Sequence, residues 1–123
     1  MSLTKFINPL IHGKIIFLTN NKTASAAESI ILQSKVLFPG KVKVLGQNTL
    51  GCLTYIDVFQ FSMPNNSFVV SMAFKSIEDS LKEFDDWKGE GVGIEPDVIC
   101  SDEEILQNLK KITRDKALRL KND

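Results

Sequence analysis

Hydrophobic and polar positions along the chain alternate between two periods, and the changes of period predict the elements. Lys14-Ile15-Ile16-Phe17-Leu18-Thr19 is apolar and β-branched almost without interruption, which predicts a strand buried on both faces of a parallel sheet. From Ala26 to Leu37 the apolar residues Ala26, Ala27, Ile30, Ile31 and Leu32 fall three and four apart, which predicts a helix, and Phe38-Pro39-Gly40 ends it. Val42 to Gly46 reads as a second short strand, so strand, helix and strand make a right-handed βαβ unit the expectation.

The pattern then changes. Leu53–Phe61 and Ser67–Phe74 alternate with period two, through Tyr55, Asp57, Phe59 and Phe61 and again through Phe68, Val70, Met72 and Phe74. Met63-Pro64-Asn65-Asn66 lies between them, and an Asn-rich turn at such a place predicts an antiparallel hairpin. Lys75 to Gly93 is polar and reads as a surface excursion with room for one short amphipathic helix at Ile77, Leu81 and Phe84; Trp87 either folds back onto this loop or stacks on a ligand. Ser101-Asp102-Glu103-Glu104 is a capping box ahead of Ile105, Leu106, Leu109 and Ile112, which predicts a terminal helix; beyond Thr113 the chain is mostly charged and is expected to extend into solvent or fray.

Composition narrows the function classes. The 123 residues, 43% hydrophobic and 24% charged, suffice for one compact domain. Fifteen basic and fifteen acidic residues cancel, so no basic face argues for nucleic acid or an anionic membrane. No apolar run reaches the roughly 20 residues of a membrane span, and Met1–Ile11 lacks the pattern of a signal peptide. Cys52 and Cys100 have no Cys or His at ligand spacing, and His12, the only histidine, reads as a loop-end residue, so no metal and no cofactor is expected.

One junction carries candidate chemistry. Lys22-Thr23-Ala24-Ser25-Ala26-Ala27-Glu28 joins the first strand to the first helix through small residues, and a serine there sits beside free helix N–H groups at the positive end of the dipole. Ser25 with Glu28 is also a capping-box pair, so a structural role and a nucleophilic role both fit the spacing.

Four motifs taken in order bear on that choice. Thr23–Glu28, Val44-Leu45-Gly46-Gln47-Asn48-Thr49-Leu50-Gly51, Met63-Pro64-Asn65-Asn66-Ser67 and Gly91-Val92-Gly93-Ile94-Glu95-Pro96-Asp97-Val98 follow one another as in serine peptidase family S41. That family holds the C-terminal processing (tail-specific) proteases and the tricorn-type peptidases. Over about residues 13 to 100 the chain resembles the later part of such a catalytic domain. The resemblance implies an α/β fold of the ClpP/crotonase type, built here as a βαβ unit, a hairpin and a C-terminal helix (residues 101–123), and an incomplete domain.

It also implies roles. Ser25 corresponds to the nucleophile and the Ala26 backbone N–H to an oxyanion donor, with Thr23, Thr49, Gly51 and Cys52 along the substrate cleft and Glu95 as a candidate acid. The substrate would be a polypeptide. A preset N–H donor of this kind stabilises the developing oxyanion by roughly 3 to 4 kcal/mol. Processing proteases carry a lysine directly after the glycine at the position of Gly51; this chain has Cys52 there. Tricorn-type members lack that lysine and take a histidine from farther upstream than His12.

The expectation is therefore a base and a second oxyanion donor supplied by an upstream segment, little activity in this chain alone, and self-association or strand exchange through uncovered sheet edges. A catalytically inactive peptide-binding or scaffolding module of the same fold is the alternative that Cys52 suggests. A crotonase-like acyl-CoA enzyme fits the Thr-Ala-Ser-Ala segment poorly. Family members are often found outside the cytoplasm, so a cell-envelope or secreted location follows from the resemblance alone.

Overall fold

The computed structural model describes residues 13–119, with the side chains of 113–119 left aside; His12 and the first eleven residues lie outside it. The chain folds as mixed α/β. In order come β1 (Ile15–Thr19), α1 (Ala26–Leu37), β2 (Val42–Gly46), β3 (Tyr55–Ser62), β4 (Val69–Ser76), the one-turn α2 (Glu78–Leu81), β5 (Val98–Ile99) and α3 (Ile105–Arg119). The strands form a three-stranded parallel sheet in the order β1-β2-β5 and a separate two-stranded antiparallel hairpin, β3-β4.

β1 and β2 pair in parallel from Ile15 opposite Val42 to Thr19 opposite Gly46, joined by α1 as the periodicity predicts. β5, two residues long, extends the sheet through Leu45 opposite Val98 and Gly46 opposite Ile99. Nothing in the sequence pattern marks so short a strand. Asp97 sets its place: its N–H donates to the Val44 carbonyl at 2.8 Å and its carboxylate accepts the Val44 N–H at 2.7 Å.

The core lies between the sheet and α1. Ile31 and Leu32 of α1, Val44 of β2, Leu53, Leu81 and Ile94 form one buried cluster, with Phe17, Ile77, Phe84 and Trp87 packed against it. Burying each such side chain contributes about 1.5–3 kcal/mol. The polar excursion is thus more than a surface loop. Its apolar residues Ile77, Leu81, Phe84 and Trp87 join or pack against the core, Trp87 is bridged to Ile94 in antiparallel fashion, and a 2.6 Å ion pair from Lys35 to Asp86 ties α1 to it.

One expectation needs correction. β1 is not buried on both faces: Phe17 faces the core while Leu18, next in the alternation, is 50% exposed, because the described chain supplies one covering layer at that position. The terminal helix α3 runs from Ile105 to Arg119. Its capping box forms, with the Ser101 N–H and hydroxyl donating to the Glu104 carboxylate at 2.9 and 3.1 Å.

The hairpin forms as predicted, pairing from Tyr55 opposite Ser76 to Ser62 opposite Val69. Its turn is built by Asn66 at φ 54 and by Asn65, whose side-chain oxygen accepts the N–H and hydroxyl of Ser67. No helix among the described residues is long and apolar enough to cross a membrane.

Candidate functional site

Ser25 is the N-cap of α1, at φ 55 and ψ −120. That conformation suits glycine; for a residue with a Cβ it costs of order 1–3 kcal/mol and persists only where its surroundings fix it. The residue is exposed, as are Ala26 and Ala27 after it. Its side chain faces the Glu28 amide as in a capping box but makes no cap hydrogen bond of normal geometry. Ala26 opens the helix, where an N–H has no intrahelical acceptor. The site therefore presents a hydroxyl and an outward N–H on adjacent residues.

Glu28 fixes this arrangement. It is fully buried, and both carboxylate oxygens are engaged. Oε2 accepts the N–H of Ser25 at 2.8 Å and the N–H of Cys52 at 2.9 Å. Oε1 accepts the N–H of Gly51 at 2.7 Å and the hydroxyl of Thr49. Four donors converge on one carboxylate, which meets the requirement that a buried charge be fully hydrogen-bonded. The sequence signal for Glu28 was its place in the capping box, but that pattern accounts for only one of the four contacts.

The loop from Thr49 to Cys52 is held as firmly from its other sides. Leu50 donates its N–H to the Thr23 carbonyl at 2.7 Å, Thr49 to the Ile94 carbonyl at 3.1 Å, and Gly91 to the Gly51 carbonyl at 2.7 Å. The Thr49 hydroxyl accepts the Ile94 N–H at 2.8 Å while donating to Glu28. Gly51 and Gly93, at φ 74 and 75, let two backbones touch: a Cβ on Gly51 would stand 2.5 Å from the nitrogens of Val92 and Gly93, and one on Gly93 would stand 2.2 Å from the Thr49 hydroxyl. Gly46, at φ 124, does the same where the Thr19 carbonyl passes at 2.0 Å from the Cβ it lacks.

Ser25, Ala26, Thr49, Gly51 and Cys52 are thus brought together, around Glu28. Thr49 and Gly51 are buried and Cys52 is exposed. Thr23 is partly buried, and its hydroxyl accepts the Asn20 N–H at 3.1 Å. Glu95 stays apart from the cluster's hydrogen bonds; its side chain is exposed, next to Ile94, whose backbone joins the cluster. Among the described residues no lysine or histidine hydrogen-bonds Ser25, and no group of three or more His, Cys, Asp and Glu has the arrangement of a metal site.

No family model matches the chain, and no curated protein matches it. A crystal structure of a "putative peptidase" from Parabacteroides merdae is similar over 76% of this chain, at 24% sequence identity and a TM-score of 0.45. The chain spans 27% of the length of that structure.

Proposed function

We propose that the chain is part of a serine-type peptidase catalytic domain of the S41 kind, on a ClpP/crotonase-like fold, acting on polypeptides, with Ser25 as nucleophile. The observation that carries the reading is the Ser25 backbone at φ 55. A cap alone does not require it: an N-cap residue ordinarily has β-region backbone angles. A strained, exposed serine beside a free helix N–H is what an acyl-transfer site needs. Ser25 Oγ attacks the scissile carbonyl, and the Ala26 N–H donates to the oxygen as it becomes negative, without reorganising.

Substrate backbone reaches the serine across Ala26 and Ala27, whose side chains leave room, with Thr23 and the Thr49–Cys52 loop as the opposite wall. Glu28 acts through the backbone: its carboxylate holds the Ser25 and Cys52 amides in place and makes no hydrogen bond to the Ser25 hydroxyl. The proton of Ser25 goes to a base outside the described residues, from the part of the domain that precedes them, and Glu95 is the candidate acid that orients it. No cofactor is invoked.

Cys52 supports a second reading. With cysteine where processing proteases carry lysine, the same frame serves a module that binds peptides and has lost hydrolysis.

Covalent labelling by a fluorophosphonate separates the two. The longest natural chain that contains these residues is expected to label at Ser25 and to lose labelling in Ser25→Ala, while the 123-residue chain labels weakly or not at all. A folded longer chain without Ser25 labelling overturns the peptidase reading in favour of the binding module.

A further inference from the structure

The β3-β4 hairpin stands outside the core. Beyond Asp57, which interrupts β3 at φ 59, Phe59, Phe61, Phe68, Val70, Met72 and Phe74 fall on one face by alternation and register, with Phe59 opposite Met72 and Phe61 opposite Val70. Three rings touch: centroids lie 4.8 Å apart for Phe59 and Phe61, 5.7 Å for Phe59 and Phe74, and 6.1 Å for Phe61 and Phe74. Yet all six side chains are 41–61% exposed. The other face is mixed, with Gln60, Ser62, Ser71 and Lys75 among its residues.

A two-stranded hairpin with such a face is marginal alone in water. We propose that the face is a homodimer interface, packed against the same face of a second copy about a two-fold axis. Two features select that occupant. At the base of the face the register sets Asp57 opposite Phe74 and Tyr55 opposite Ser76, but the six apolar residues carry no charge and no side-chain hydrogen-bonding group, and an apolar face is its own complement in an isologous contact. Its size also fits: at roughly 100 Å² exposed per residue, six residues on each of two copies bury about 1,200 Å², the lower end of a stable interface. Pairing of hairpin edges would leave the rings in water and is disfavoured on β3 by the break at Asp57. The proposal does not depend on the activity assigned to Ser25.

Sedimentation velocity over a concentration series tests it. The chain is expected to dimerise, Phe59→Ser and Phe74→Ser to weaken dimerisation at least about tenfold each, and Val58→Ser on the mixed face to leave it unchanged. Oxidative cross-linking keeps the test independent of any effect on folding: in a Cys52→Ser background, Met72→Cys forms a covalent dimer and Val58→Cys does not. A monomer at every concentration, or a dimer that Phe59→Ser and Phe74→Ser leave intact, overturns the proposal; so does Val58→Cys cross-linking in preference to Met72→Cys.

Discussion

The backbone N–H groups of Ser25 and Cys52, 27 positions apart in the chain, donate to the same carboxylate oxygen of Glu28 at 2.8 and 2.9 Å. One buried side chain thereby fixes the relative placement of the helix start and of the loop after β2. Glu28→Ala leaves four donors without an acceptor, at about 1–3 kcal/mol for each that water cannot reach. A loss of roughly 4 kcal/mol or more is expected by urea unfolding. Glu28→Gln keeps the shape but turns an N–H₂ toward two donors, and about 2 kcal/mol is the expected loss. A change below about 1 kcal/mol in Glu28→Ala would show that the four contacts are not what holds the loop.

Strain at Ser25 gives a prediction of opposite sign. Ser25→Gly removes the cost of φ 55, of order 1–3 kcal/mol, against about 0.5–1 kcal/mol for the greater freedom of glycine in the unfolded chain. The variant is expected to be more stable by about 1 kcal/mol, whereas Ser25→Ala keeps the Cβ and gains nothing. Denaturant midpoints of the two variants decide it; equal midpoints would mean the backbone is relaxed there.

The glycines form a graded series. Gly51→Ala and Gly93→Ala drive a Cβ to within 2.5 Å of neighbouring atoms that belong to the site, at positive φ as well. Each is expected to cost about 3 kcal/mol or more, well above the ordinary range for a single substitution. Gly89→Ala and Gly40→Ala meet nothing within 4 Å and carry only the cost of positive φ, about 1–2 kcal/mol. Thermal unfolding of the four variants should reproduce that order.

At the start of α3, the Glu104 carboxyl is held below its ordinary 4.5, first by the Ser101 N–H and then by the Ser101 hydroxyl. A depressed carboxylate favours the folded form above the unfolded pKa, and that contribution is lost as pH falls through the lower folded value. NMR titration is expected to show Glu104 protonating below 4.5 and moving toward its ordinary value in Ser101→Ala, in step with loss of order at the first turn of α3. Unchanged titration in Ser101→Ala would mean the hydroxyl contributes nothing.

What could be read in the sequence divides along physical lines. The β1-α1-β2 unit and the hairpin were legible because each is a local pattern: period 3.6 in Ile30, Ile31 and Leu32, period 2 in Phe59 and Phe61, turn chemistry at Asn65 and Asn66. β5 was not, because two residues carry no period and their place comes from Asp97 gripping Val44. The exposure of Leu18 was hidden because an apolar run states what a residue tolerates, not how many layers cover it. At the site, Ser25 and the Thr49–Cys52 loop were marked by motif and by small residues. The role of Glu28 was hidden because three of its four partners are backbone amides, which leave no trace in residue identity.

Since the amides at 25, 51 and 52 belong to the main chain, Glu28 grips positions 25 and 52 whatever side chains they carry. Side chains at those two positions can be exchanged while the frame beneath them stays intact, so the demands of folding fall on Glu28 and the main chain rather than on residues 25 and 52. The side chains at 25 and 52 can therefore vary without the loop first having to be rebuilt.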